Sequence, residues 1–441
     1  MSPSNSHNVI KTIIVSVLLI LPIILLFGTL AYANTVILTW ATVGTNPYAL
    51  AFDSSGNLYT ANNNVSGTIS KVTPSGSVTT TWATVGANPE ALAVDSSGNL
   101  YTANSGSYTI SKVTPSGSVS TFASGLCAPS YALAFDSSGN LYVANDDGNE
   151  DCANISKITP GDSVTQTWAT VGEDPDALAF NSSGNLYVAN SYNGTISKIT
   201  PSGSVTTTWA TVSYAPFALA FDTSGNLYTA NVDSSYPGTI SKITPSGSVT
   251  TTWATVGSYP VVLAFDSSGN LYVANNESDT ISKVTPSGSV TTTWATVGSL
   301  PRALAFDSSG NLYVANEGSN TISKIIFPPN APPGRPSFSS VTTTTLTVSW
   351  TAATNATSSN IYRCSGASCT PTLYQSGITS TSYNDTGLTP NTWYTYYIVG
   401  ANSSGTGPAS ASNWTLTYLN TFGRIIRLRG GVRLRGGVRL E

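Results

Sequence analysis

The sequence predicts an all-β chain, a closed ring of seven four-stranded blades followed by a small β-sandwich. Three observations predict it. A unit of about 42 residues recurs seven times along the 441-residue chain. Each copy divides into four short alternating runs separated by turn residues. Composition then changes after a Pro-rich stretch at 328–333. Charged residues make up 9% of the chain, against roughly 25% in an average globular protein. That excludes a helical bundle or coiled coil, and aromatics at 10% argue against disorder.

Residues 1–33 form a leader. Met1–Lys11 is polar, Thr12–Leu30 is apolar, and Ala31-Tyr32-Ala33 is a small-x-small cleavage signal. It reads as a secretory signal peptide cut before Asn34. The alternative is an uncleaved membrane anchor. Either way the body is expected to be secreted or on the cell surface, with its four cysteines oxidised.

The ring is expected over 34–327. Its S-S-G turns open at Asp53, Asp95, Asp136, Asn181, Asp222, Asp266 and Asp307, at spacings of 42, 41, 45, 41, 44 and 41. In the first copy the expected strands are Ala49–Asp53, Asn57–Asn62, Thr68–Thr73 and Ser77–Val85. Glycine supplies the positive-φ position of each turn, and Asp or Ser holds it by side-chain bonding. Four antiparallel strands per repeat make a blade of a β-propeller. The seventh copy lacks its fourth strand, because Ile325-Ile326-Phe327 runs into proline. Thr35–Val43 is an orphan copy of that strand and is expected to close the ring, removing two exposed sheet edges.

Leu312–Ser323 resembles the YVTN propeller repeat of microbial surface proteins. The P-x-A-L-A-F-D-S-S-G-N-L-Y-V-A run resembles the NHL repeat, and I-S-K-I-T-P-x-G is similar to streptogramin-lyase-like propellers. The resemblance implies a seven-bladed β-propeller and leaves activity open, since these families differ in function.

Residues 334–418 resemble a fibronectin type III domain, an expected seven-strand sandwich. The resemblance rests on Trp350, the Leu388-x-Pro390 turn, Tyr394-x-Tyr396 and the Ala401-Asn402-x-x-Gly405 exit. The tail, 419–441, repeats Arg-Leu-Arg-Gly-Gly-Val. It would suit an anionic wall polymer or lipid head group, or be merely unstructured.

Loops joining strands 1–2 and 3–4 should lie on a lower face, and loops joining 2–3 and 4–1 on an upper face. Lower loops barely change between copies, while upper loops differ in length and residue type. The residue two before each repeated Leu should ring the upper mouth of the central channel. These residues are Tyr48, Glu90, Tyr131, Asp176, Phe217, Val261 and Arg302. Their diversity within a repeated frame marks them as candidate ligand-binding residues; the alternative is drift at a solvent-facing position. Asp146, Asp147, Glu150 and Asp151 form the densest acidic stretch, which would suit Ca²⁺ or simply be solvated. No other cofactor is expected. The Asn ending each second strand reads as a loop cap. Two disulfides are expected, Cys127–Cys152 on the upper face of the third blade and Cys364–Cys369 in the second domain.

The only histidine is His7, inside the leader. The expected body therefore holds no Ser-His-Asp triad, Cys-His pair or histidine metal site. The ring and sandwich carry 10 basic and 20 acidic residues once Lys11 and the last 18 residues are set aside. That argues against nucleic acid as a partner. The reading is a monomeric binding protein for an extracellular protein or glycan, touching membrane only through an uncleaved leader. The alternative is an enzyme of the streptogramin-lyase or gluconolactonase-like type. The resemblance implies histidine chemistry for the former, and for the latter a divalent metal held in the channel by Glu, Asn and Asp. Glu90 and Asp176 are of the right type for the latter.

Overall fold

The computed structural model describes residues 34–127, 129–146, 152–232, 237–329 and 335–419. The expected leader, and the Arg-rich tail beyond Leu419, lie outside the described residues. Strand β1 (Thr35–Thr42) comes first. Then β2 (Pro47–Phe52), β3 (Leu58–Asn62), β4 (Thr68–Val72) and β5 (Val78–Thr84) pair antiparallel in that order and make the first blade. Seven four-stranded sheets repeat this arrangement. Their first strands stand side by side around the channel, and the last of them meets β2.

The turns hold their shape by side-chain chemistry. Asp53 Oδ1 accepts from the backbone of Ser55 and Asn57, and its Oδ2 accepts from Asn57 Nδ2 and the Tyr59 hydroxyl. Gly56, at φ 79°, takes the left-handed position that a side chain would strain. The next turn is pinned from the neighbouring blade, because Gly76 lies against the indole of Trp40.

Every residue of β3 is buried, because β3 is covered on both faces. Leu58 packs with Tyr313 and Ala315 of the seventh blade, whereas Tyr59 and Ala61 pack with Leu100 of the second. The period-2 alternation therefore feeds two inter-blade cores from one strand. Burying each such Leu is worth about 1.5–3 kcal/mol relative to exposure.

Strand β1 takes the fourth place in the last blade, as its sequence predicts. It pairs with Thr321–Ile326, Thr35 opposite Ile326 and Thr42 opposite Thr321. Trp40 packs edge-on to Tyr313 at 4.9 Å, the separation of Tyr59 and Trp82 within the first blade. Lys324 lies over both Trp40 and Tyr313.

The second domain has two sheets. One holds Ser337–Ser339, Thr345–Ser349 and Ser382–Thr386. The other holds Thr372–Ile378, Ser358–Ser365 and Trp393–Asn402, with Gly405–Ala409 and Asn413–Leu416 both paired to Trp393–Asn402. The expected seventh strand is thus split in two, giving eight. Two residues explain the break. Pro408 has no N–H to give the ladder, and the Ser410 hydroxyl takes the Ile398 N–H that a backbone carbonyl would otherwise receive. Trp350 donates its indole N–H to Ser359 Oγ.

The sandwich grips the ring at its closure. Thr35 N donates to Ser404 Oγ at 2.8 Å, and Ser404 Oγ donates to the Ile326 carbonyl at 2.8 Å. Asn402 Nδ2 reaches the Phe327 carbonyl at 2.8 Å. The turn that ends the longest sandwich strand thus fastens both strands that seal the propeller.

Candidate functional site at the channel mouth

A cavity of about 280 Å³ opens at the end of the channel where the first strands begin. Positions two to four of those strands line it. Tyr48, Glu90, Asp176, Phe217, Val261 and Arg302 all stand in its wall, above a layer of repeated Ala and Leu. Tyr131 occupies the matching place in Pro129–Phe135, and its side chain lies outside the described residues. That strand carries one residue more than the others, absorbed by a wider bulge between Pro129 and Leu133.

A repeated backbone device sets these residues in place. In six blades the residue before the opening proline adopts positive φ: Asn46 55°, Asn88 51°, Asp174 51°, Ala215 41°, Tyr259 53° and Leu300 53°. The carbonyl of each accepts an N–H from the first residue of the 2–3 loop. The pairs are Asn63–Asn46, Ser105–Asn88, Ser191–Asp174, Val232–Ala215, Asn276–Tyr259 and Glu317–Leu300, at 2.8–3.0 Å. Upper loops are therefore tied to the chain two residues before each mouth position. Left-handed backbone is costly at Ala, Tyr and Leu. Six equivalent positions nonetheless adopt it, where the backbone hydrogen bond to the 2–3 loop holds them.

The mouth is electrically divided. Glu90 accepts from Ser105 Oγ at 2.9 Å and Asn63 Nδ2 at 3.4 Å. Burial pushes its carboxyl above the ordinary value, against those two bonds. Asp176 is only 6% exposed. Its carboxyl is pushed up to about 7, by burial first, with Asp146, Asp174 and Glu90 adding to it and the Ser191 hydroxyl opposing. Arg302 lies over the Tyr48 ring, 4.1 Å from its centroid, and burial pushes its guanidinium below the ordinary value while Glu317 opposes. Phe217 stands 6.0 Å from Tyr259 and, with Val261, makes an apolar sector between acid and base.

Asp146, of the expected acidic stretch, is described and contributes to the field on Asp174 and Asp176. Asp147, Glu150 and Asp151 lie outside the described residues. Among the described residues no group of three or more His, Cys, Asp or Glu is arranged to hold a metal ion. Both expected disulfides are formed. Cys127 and Cys152 have Cα atoms 5.8 Å apart, and Cys364 and Cys369 are 6.0 Å apart.

The Asn expected to cap loops does something else. Asn62 is fully buried, and its Nδ2 donates to Ser70 Oγ and Thr68 Oγ1 inside the blade. Gly44 lies directly on its side chain, so the glycine that precedes the mouth leaves room for this Asn. The residues missed in the sequence are Asn63, Ser105 and Ser191, which hold the two carboxylates. Their signal was present, since each directly follows the repeated Asn.

The model of the virginiamycin B lyase family matches residues 37–250 and 127–328, and the fibronectin type III model matches 331–413. A streptogramin B lyase structure is similar at TM-score 0.57 and 16% identity, covering 67% of this chain and 98% of its own. Virginiamycin B lyase from Staphylococcus aureus is similar at TM-score 0.56 and 18% identity, over 66% and 98%. The extracellular domain of a hybrid two component system from B. thetaiotaomicron reaches 0.52 at 12% identity, over 85% of this chain and 56% of that one. No curated protein matches the chain. At these identities the structural likeness shows the fold.

Proposed function

The chain belongs to the virginiamycin B lyase family, and from that premise we propose that its propeller is an exported binding domain that captures a ligand at the upper mouth. One observation carries the reading. Within strands that are otherwise nearly identical between repeats, six of the seven diversified positions line one cavity. A ring built from copies keeps a scaffold constant while one surface varies, and the variable surface is where recognition resides. Two disulfides, and the likeness to an extracellular domain, support export. Binding is favoured over turnover because the sole histidine is His7, so the ring offers no imidazole as general acid or base.

The test is a glycan array and a peptide pull-down with the full chain. Ligands should be retained by the wild type and lost by Glu90→Ala and Arg302→Ala, while the lower-face variant Ser202→Ala keeps them. Retention by the mouth variants would sink the reading. The family match favours lyase chemistry as the second reading. Linearisation of virginiamycin B by rigorously purified chain would establish it in place of binding.

A further inference from the structure

The proposed binding role leaves the ligand's chemistry open, and the charge layout of the mouth narrows it. Asp176 and Glu90 stand on the fourth and second blades, with the third between them. Both face the same cavity. Asp176 is more than nine-tenths buried, and its neighbours Asp146, Asp174 and Glu90 all carry negative charge. Among the described residues no Lys or Arg lies within ion-pair distance of either carboxylate; the ion pair found there is Arg363–Asp385 in the sandwich. A buried carboxylate without a counter-ion is costly, and a complementary cation recovers that cost. Arg302 belongs to the seventh blade and is stacked on Tyr48. Phe217 and Val261 line the next stretch of wall beyond Asp176.

We propose that the mouth binds a small organic ammonium ion, its nitrogen seated between Asp176 and Glu90 and its apolar or aromatic body against Phe217 and Val261. A primary amine supplies up to three N–H donors, matching two carboxylates that already accept only from hydroxyl and amide donors. A ring fills the wall beside Phe217 and adds apolar burial. Two carboxylates fall short of the six to eight oxygens a calcium ion takes, so an organic cation fits this pair better than Ca²⁺ does.

This inference rests on the mouth being the binding site, and its test separates the two. Tyramine, N-acetyltyramine and 4-hydroxyphenylacetate keep one aromatic body and carry positive, zero and negative charge. Calorimetric titration of the full chain should show tyramine binding at least about tenfold tighter than N-acetyltyramine, with the anion weakest. Asp176→Asn and Glu90→Gln should abolish that preference, so that tyramine and N-acetyltyramine bind each variant alike. The groups facing Asp176 are Glu90, Asp146, Asp174 and Ser191. Tyramine should therefore bind more weakly at about pH 6 than at about pH 8, as Asp176 takes up a proton. The proposal is overturned if the neutral or anionic probe binds as tightly as tyramine. It is equally overturned if the preference survives both substitutions, or if tyramine fails to bind at about 10 mM. Array ligands lost on Arg302→Ala would still support a binding mouth after such a failure.

Discussion

The two faces of the ring are built from the same seven repeats and differ in kind. On the lower face, the S-S-G turn repeats one hydrogen-bond set around a carboxylate in six blades, and Asn181 stands in its place in the fourth. On the upper face, one backbone bond is repeated while the side chains beside it change from Tyr to Glu to Asp to Arg. The lower face fixes geometry through side chains and so cannot vary them. The upper face fixes geometry through the backbone, which leaves its side chains free to differ. The recognition proposed for the upper face would need the second arrangement.

Closure of the ring underlies both faces, so breaking it should have the largest effect. Removing residues 35–43 strips the seventh blade of its fourth strand, Tyr313 of its contact with Trp40, and Ser404 of its partner Thr35. Both faces should lose cooperative unfolding together, read as a lowered and broadened thermal transition in near-ultraviolet circular dichroism. A sharp transition at the wild-type temperature would show that β1 is dispensable.

The next effect separates the faces by pH. The Asp176 carboxyl is raised from 3.8 to about 7, chiefly by burial. Below the unfolded value both states are protonated, and no penalty exists. Between about pH 4 and pH 7 the unfolded chain ionises while the folded one resists, so stability falls across that window. Asp176→Asn should remove a penalty on the order of 3 kcal/mol at neutral pH, and the gain should vanish near pH 4. Denaturant unfolding of both proteins at several pH values measures it. A pH-independent difference would show that the mouth is wetter than its geometry implies.

The lower face should behave oppositely, since its carboxylates stabilise. Asp222 accepts from the Ser224 and Asn226 backbone, Asn226 Nδ2 and the Tyr228 hydroxyl. Asp222→Ala removes these acceptors and should cost about 2 kcal/mol, part of it from the unpaired Tyr228 hydroxyl. Glu90→Gln on the upper face should cause no loss, because it removes a charge that burial disfavours and keeps an acceptor for Ser105 and Asn63. Comparable losses at the two sites, in the same unfolding experiment, would erase the distinction drawn between the faces.

Much of this was legible in the sequence, for a physical reason. Repetition turns each position into seven observations, so the orphan Thr35–Val43 and the diversified Tyr48, Glu90, Asp176 and Arg302 stood out against their copies. The pairing of Cys127 with Cys152 followed from strand direction, from expected export, and from the lack of cysteine in the other blades. What was not legible depends on conformation or on distant partners. The residues at 46, 88, 174, 215, 259 and 300 share a left-handed backbone but not a residue type, so no pattern announced them. The grip of Ser404 on Thr35 joins residues 369 apart in the chain, outside any repeat. The Asn of each second strand was visible, yet its burial was not, because glycine at position 44 shapes the space it fills only in three dimensions.

The smallest effect sharpens the comparison within the lower face itself. Asn181 replaces the turn Asp in the fourth blade. It still accepts from Ser183 N and Asn185 N at 3.0 Å, but its Nδ2 meets the Tyr187 hydroxyl at 3.4 Å, where Asp222 takes that bond at 3.1 Å. A carboxylate is the stronger acceptor, and it can take the Asn185 amide and the Tyr187 hydroxyl together. Asn181→Asp should therefore stabilise the chain by about 0.5–1 kcal/mol at neutral pH. The sign of its pH dependence follows from the other blades. At Asp53, Asp95, Asp136 and Asp222 burial raises the carboxyl, but the bonds from Asn, Ser and Tyr outweigh it and hold the group below its ordinary value. The gain should thus be complete above the unfolded value of about 3.9. It should disappear as pH falls through the lower folded value, the reverse of the profile expected at Asp176. Urea unfolding of the Asn181→Asp variant at about pH 7 and about pH 3 reads both effects. A gain that persists in acid would mean that side-chain shape, rather than charge, holds these turns.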